Sequence, residues 1–213
     1  MRKIFRKIKL AVIALAAITI TTTSINVSAA TPVVPTTTAV SQAPVTVMVN
    51  RAANTVTVYV TNAVGVNVPV KAMVCSVGRA GHETPVGTFK TSDYYVWRQL
   101  VDGSYGRYAV RFNRGILFHS VPYIKTSWDS LEWDQYNMLG QPASLGCVRL
   151  SVADAKWIYD YVPQGSTVVV YDDALNPGPL GKPTPAVISP DSLYKNWDPT
   201  DPVLLSYLGS LNQ

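Results

Sequence analysis

Short apolar runs rich in β-branched residues, separated by polar turns, dominate residues 45–172. The first two runs, 45–49 and 55–60, flank the polar segment 50–54, a pattern typical of a β-hairpin. The pattern predicts a mostly β domain of short strands. The remaining runs predict strands at 68–77, 86–90, 94–98, 107–112, 115–120 and 167–171.

One helix is predicted after residue 150. Ser151 and Asp154 form a capping-box pattern, with Asp in the place usually held by Glu or Gln. Pro163 and Gly165 would end the helix. Apolar residues recur at helical spacing between these limits, at Val152, Ala155, Ile158 and Val162.

The N-terminal segment 1–30 has the layout of a secretory signal. It starts with five basic residues, continues with an uncharged apolar run over 10–20 and ends on small residues at 28–30. The apolar run is short for a membrane span, which needs roughly 20 apolar residues. We therefore expect export to the cell wall or the extracellular space. A retained N-terminal anchor is the alternative, and an uncleaved signal would tether the protein to the membrane.

The rest of the chain divides by composition. Residues 31–44 are rich in Thr, Pro and Ala and predict a flexible linker. Residues 45–172 form the predicted domain. The tail 173–213 is rich in Pro and Gly up to residue 190 and apolar beyond it, so we expect part of the tail to pack on the domain.

The positive charge of the chain belongs to the export signal. The chain has 18 basic and 13 acidic residues, and residues 1–30 hold five of the basic residues and none of the acidic ones. The remainder therefore carries 13 of each, and its net charge is zero. The charge of the chain therefore gives no reason to expect nucleic acid or a membrane surface as a partner.

The chain has two cysteines and two histidines, and their number and spacing limit which disulfides and metal sites it can form. Two cysteines do not make a disulfide scaffold, and the two histidines show no zinc-ligand spacing. We expect no metal and no cofactor. Cys75 lies on an apolar strand and is predicted to be buried and inert. A disulfide between Cys75 and Cys147 would block the second thiol.

Cys147 lies between a glycine and the predicted helix. Gly146 permits a tight turn, and amide N–H groups at such a turn can lower a thiol's pKa and hold an oxyanion. Arg149 adds a positive charge two residues later. The alternative is a small core residue, since free cysteine is often buried.

His119 strengthens the catalytic interpretation. It ends the apolar strand predicted over 115–120, which would deliver its side chain to the rim of the sheet. A histidine there could serve as the base for the Cys147 thiol and then protonate a leaving amine. A structural role is the alternative for His119 taken alone.

Three separated motifs resemble the L,D-transpeptidase family, whose catalytic domain is called YkuD-type. They are Ile-Leu-Phe-His-Ser at 116–120, Ser-Leu-Gly-Cys-Val-Arg-Leu at 144–150 and Thr-Pro-Val-Gly-Thr-Phe at 84–89. The resemblance covers about residues 45–172. It implies a β-sandwich of short mixed strands with one helix after the cysteine, and a cysteine acyltransferase that acts as a monomer on peptidoglycan stem peptides.

The resemblance also implies a reaction and its residues. The Cys147 thiolate attacks the carbonyl of the third stem residue, the terminal D-residue leaves, and an acceptor amine forms a 3-3 cross-link. His119 is the base, and the carbonyl of Ser120 orients it. The N–H groups of Gly146 and Cys147 contribute to an oxyanion hole. Arg149 and Ser144 are predicted to bind substrate, with a structural salt bridge as the alternative for Arg149.

Two features depart from the family pattern. Many members have a histidine where Leu145 stands, and we interpret Leu145 as a tolerated change beside the site. The interval of 28 residues between His119 and Cys147 exceeds the shorter family pattern. The added part, around 128–142, is predicted to form an aromatic loop over the cleft that packs mainly on itself.

Several alternatives stay open at this level. Papain-like hydrolases place cysteine before histidine, the reverse of this chain, and sortases carry their arginine on a separate later strand. Water in place of an amine would give an L,D-carboxypeptidase, and Leu145 keeps a non-catalytic wall-binding module possible. Weaker candidates for contact with substrate or oxyanion are His82, Tyr105 and Tyr108.

Overall fold

The structure, a computed structural model, describes residues 43–210. The predicted signal 1–30 and most of the predicted linker lie outside the described residues. Two mixed β-sheets pack around a shared core that takes buried side chains from both, among them Val47 of one sheet and Phe118 of the other. The predicted mostly β sandwich is confirmed.

The first sheet has five strands in the order β3-β2-β1-β9-β4. Their bounds are Val45–Asn50 (β1), Thr55–Thr61 (β2), Asn67–Val74 (β3), Gly87–Lys90 (β4) and Thr167–Tyr171 (β9). The predicted hairpin between β1 and β2 is present, and Asn54 in its turn has φ 53°. The closing strand β9 is parallel to β1 and antiparallel to β4.

The second sheet has four strands in the order β5-β6-β7-β8. They span Tyr94–Gln99 (β5), Tyr105–Asn113 (β6), Ile116–Ser120 (β7) and Val148–Leu150 (β8). The short strand β8 was not predicted. It runs parallel to β7, with His119 opposite Arg149, so it brings the segment that begins at Cys147 beside the His119 strand.

Three helices complete the described chain. They are Trp133–Tyr136 (α1), Val152–Tyr161 (α2) and Pro202–Ser210 (α3). The predicted helix is α2, and its cap is the Ser151 side chain, which accepts a hydrogen bond from the Asp154 N–H at 3.2 Å. The Asp154 carboxylate pairs with Lys71 at 3.0 Å instead of completing the capping box. Among residues 43–210 no helix is long and apolar enough to cross a membrane.

A second, smaller core lies under the segment between β7 and β8. It buries Tyr123, Leu131 and Tyr136, and Ile188 from the C-terminal tail joins it. The tail, predicted to pack in part, is held at several points along its described length. Near its start, the Asn50 amide donates to the carbonyls of Asp173 and Asn176 at 2.8 and 2.9 Å.

Candidate active site

Cys147 and His119 both line one cavity of about 260 Å³. The parallel register of β7 and β8 produces this proximity, because Cys147 immediately precedes Val148, which pairs with Phe118. Cys147 is half-buried, and its thiol lies 3.8 Å from the carbonyl oxygen of Gly115. Cys147 is thus a partly exposed residue of the cavity wall, as a nucleophile requires.

The imidazole of His119 is held by its own strand. Its Nδ1 lies 2.5 Å from the carbonyl oxygen of Ser120, the contact predicted to orient the ring. Because a carbonyl only accepts hydrogen bonds, we assign the proton to Nδ1, which leaves Nε2 with a free lone pair. The side chain is 1% exposed, so the walls of the site fix the ring in place.

Burial keeps both groups neutral. It lowers the pKa of His119 to about 4, and the positive charge of Arg149 acts in the same direction, against the hydrogen bond to Ser120. Burial raises the pKa of the Cys147 thiol, although the Leu117 N–H and Arg149 partly offset the rise. At neutral pH the site therefore rests as a thiol beside a neutral imidazole, not as a thiolate–imidazolium pair.

This resting state predicts a particular pH dependence for the alkylation of Cys147. The rate with iodoacetamide should still be rising above pH 9, with no step near pH 6.5, because the thiol ionises late and His119 stays neutral down to about pH 4. Mass spectrometry of the labelled protein would measure the rate. Cys75, which is fully buried, should remain unlabelled in the folded protein. A rate that reaches its plateau below pH 7 would contradict the neutral pair.

The turn before Cys147 is braced by two hydroxyl groups. Ser144 Oγ accepts from the Gly146 N–H at 3.1 Å and donates to the Cys147 carbonyl at 2.6 Å. Thr84 Oγ1 donates to the Gly146 carbonyl at 2.8 Å and accepts from the Gly78 N–H at 3.0 Å. Gly146 has φ 117°, where any side chain would be strained. The glycine and both hydroxyls thus set the backbone at the nucleophile.

These bonds bear on two predicted roles. The Gly146 N–H, predicted to serve an oxyanion hole, is occupied by Ser144 in this structure. Ser144 borders the cavity but is 1% exposed, and its hydroxyl serves the turn. Its contact with substrate stays a prediction. The function of Thr84 was missed, although its motif was recognised, because the partners of its hydroxyl are distant in sequence.

Gly106 is a second residue that sequence reasoning missed. A Cβ atom built on Gly106 would lie 2.8 Å from both Cγ and Nδ1 of His119. The bare backbone of β6 is therefore the surface against which the imidazole packs. A glycine inside a strand is a known signal of such close approach, but the predicted strand began at residue 107, so the sequence analysis left Gly106 outside it.

Arg149 is a buried cation at the inner wall of the cavity. It is 6% exposed, and its Nη1 donates to the amide oxygen of Gln135 at 2.8 Å. None of the ion pairs between the described residues involves Arg149, so the salt bridge considered as an alternative is not formed there. Burial lowers its pKa, against the attraction of Asp102 and Glu132. A buried guanidinium whose hydrogen-bond partner is neutral is suited to an anionic group of a ligand.

The cover of the cavity differs from the prediction. The wall at this place is formed by the end of β5 and the turn that follows it, through Arg98, Gln99, Leu100, Val101 and Asp102. No residue of the predicted aromatic loop 128–142 lines the cavity, because Trp133 and Tyr136 pack into the second core instead. The prediction of a loop over the cleft was therefore wrong, whereas its packing on the domain is observed.

The weaker candidates lie outside the cavity. Tyr105 and Tyr108 pack against the cores, and neither lines the cavity. His82 is exposed in the loop before Thr84, with its carbonyl directed toward Gly78. Leu145, the residue that departs from the family pattern, does line the cavity beside Cys147.

Comparisons with known proteins agree with this geometry. The family model described as the L,D-transpeptidase catalytic domain, YkuD, matches residues 44–170. A Bacillus subtilis (strain 168) protein named as the L,D-transpeptidase YciB is 32% identical over 91 residues, which are 41% of this chain and 46% of that protein. A solved L,D-transpeptidase from Mycobacterium smegmatis is 25% identical with a TM-score of 0.50, over 61% of this chain and 59% of the other.

This chain thus spans about half the length of each of these relatives, and the family-model match ends within β9. It includes Thr84, His119 and Cys147, the residues that the site brings together. The family model covers more than half of the chain. This protein belongs to the YkuD family of L,D-transpeptidase catalytic domains.

Proposed function

We propose that this protein is an exported peptidoglycan L,D-transpeptidase that forms 3-3 cross-links through a Cys147 acyl-enzyme. The observation that carries the proposal is the single cavity that Cys147 and His119 both line, within a domain of the L,D-transpeptidase family. The relatives' names support the reaction type. The N-terminal signal predicted from the sequence supports action outside the cytoplasm, at the cell wall.

In the first half-reaction Nε2 of His119 takes the thiol proton while Sγ of Cys147 bonds to the carbonyl carbon of the third stem residue. The carbon–nitrogen bond of the tetrahedral adduct then breaks. The electron pair leaves with the amine of the terminal D-residue, and that amine takes the proton from His119. The product is a thioester on Cys147 and a free amino acid.

In the second half-reaction an amine on a neighbouring stem attacks the thioester. His119 removes the amine proton, the carbon–sulfur bond breaks, and the departing sulfur is protonated again. His119 enters each half as a neutral base, because burial keeps the ring unprotonated at neutral pH, and the imidazolium that forms readily gives up the proton it has taken.

The surrounding residues support this chemistry electrostatically. We assign the Cys147 N–H to the oxyanion, since the Gly146 N–H already donates to Ser144. Arg149 is proposed to bind a carboxylate of the donor stem, because it is a buried guanidinium on the cavity wall. Leu145 in the same wall is proposed to influence which stem is accepted.

The test is mass spectrometry of purified tetrapeptide stems incubated with the protein, with Cys147→Ala as the control. A direct cross-link between third residues, absent from the control, is the expected product. Loss of the terminal residue alone would show that water resolves the thioester, as in an L,D-carboxypeptidase. If the wild-type protein changes the stems no more than Cys147→Ala does, the proposal is overturned and a wall-binding module remains.

A further inference from the structure

The C-terminal segment 172–210 lies beyond the residues that match the family, yet it contacts the strand and the helix that adjoin the site. Its Asp201 is fully buried and forms an ion pair with Arg107 of β6, which is 6% exposed. Trp97 and Tyr108 flank the Arg107 guanidinium at 5.6 and 4.8 Å from their ring centres. A buried arginine of this kind depends on its carboxylate partner to hold its position.

Arg107 connects this ion pair to the base. Its backbone N–H donates to the hydroxyl of Ser120 at 2.9 Å, and the carbonyl of Ser120 holds Nδ1 of His119. The residue before it is Gly106, whose backbone packs against the imidazole ring. The carboxylate of Asp201 thus fixes the part of β6 that supports His119 on two sides.

Asp198 connects the same segment to the nucleophile. Its carboxylate accepts the N–H of Val152 at 2.8 Å, and Thr200 Oγ1 accepts the N–H of Ala153 at 3.0 Å. These are free donors of the first turn of α2, which otherwise would need water or another cap. Because α2 follows β8 directly, the C-terminal segment also holds the strand that begins after Cys147.

We infer that Asp201 and Asp198 are positioning residues: Asp201 holds the part of β6 against which His119 packs, and Asp198 holds the start of α2 behind the strand that follows Cys147. The segment that carries them is therefore part of the catalytic unit, although the family match ends at residue 170. This inference rests on the proposed function only for its effect on turnover. Its effect on the placement of His119 can be measured without substrate.

The experiment compares the full chain with its Asp201→Asn variant at a temperature where circular dichroism shows both to be folded. We expect kcat for acyl transfer to fall at least tenfold, KM to change less than threefold, and Asp201→Glu to recover most of the loss. The matched control is Asp160→Asn, which removes the carboxylate of the exposed ion pair Lys156–Asp160 on α2 and should change neither constant.

A second readout separates positioning from general destabilisation. In a His82→Gln background, which leaves one histidine, NMR should show that the pKa of the His119 imidazole moves from about 4 toward 6.5 in Asp201→Asn as the ring gains water. If the wild type lacks turnover but this shift occurs, the positioning role stands and the proposed function fails. If folded Asp201→Asn has the kcat of the wild type and the same pKa of the His119 imidazole, the inference is overturned.

A milder variant covers the case in which Asp201→Asn does not fold. Thr200→Val removes only the hydroxyl, which accepts the Ala153 N–H and donates to the Asp198 carboxylate at 2.6 Å. A two- to fivefold lower kcat at constant KM is expected from this variant. A folded Thr200→Val protein with wild-type kcat would overturn the proposal that the C-terminal segment 172–210 positions the active site.

Discussion

Replacing His119 by Gln is expected to slow formation of the acyl-enzyme by about 10²- to 10⁴-fold, the usual contribution of a general base. The reason is the neutral resting state of the site. Burial raises the pKa of the Cys147 thiol, so few molecules hold a thiolate at neutral pH, and the neutral imidazole must remove the proton during attack. A glutamine amide is not basic enough to do so.

Rapid-quench intact-mass measurement with a tetrapeptide donor would give this rate. In His119→Gln the residual rate should rise about tenfold per pH unit, because hydroxide must then generate the thiolate. His82→Gln is the matched control, since it replaces the other histidine at an exposed position outside the cavity. A His119→Gln rate within threefold of the wild type would rule out His119 as the base.

Replacing Gly106 by Ala is expected to reduce acyl transfer by about 10²-fold. The added methyl would lie 2.8 Å from the imidazole of His119, too close for any real contact, so the ring must move. A displacement of about 1 Å at a catalytic group is enough for a loss of this size. The thiol itself is not displaced, and its alkylation by iodoacetamide should therefore continue.

Gly209→Ala provides the control for this substitution. Gly209 lies in α3, where a Cβ atom meets nothing within 4 Å, so the same chemical change should leave acyl transfer unaltered. Thermal unfolding of both variants would establish that they are folded at the assay temperature. A folded Gly106→Ala protein with wild-type acyl transfer would contradict the packing described for His119.

The residues proposed for the reaction could be singled out from the sequence because each stands in a short local pattern and the patterns together resemble one family. Cys147 follows a glycine and precedes a capped helix, and His119 ends an apolar strand. The short apolar runs likewise predicted eight strands, and the capping-box pattern with apolar residues at helical spacing predicted α2. Strand β8 was missed because it has only three residues directly after the turn at Gly146, too few to show a period.

The residues that hold the catalytic groups in place could not be predicted in the same way. Asp198 and Asp201 stand in a polar segment that is typical of solvent-exposed loops, and only the tertiary fold buries them against α2 and Arg107. The lining of the cavity by residues 98–102, at the end of β5 and in the turn after it, also depends on the tertiary fold. Contacts of this kind join residues that are far apart in sequence and leave no periodic signal.

The central claim is that Cys147 becomes acylated by the donor stem. The direct measurement is mass spectrometry of the intact protein, followed by peptide mapping, after rapid mixing with a tetrapeptide stem. We predict an adduct on Cys147 whose mass equals the donor stem without its terminal residue. Turnover of the stem by Cys147→Ala at the wild-type rate, or an adduct on a different residue, would contradict the account.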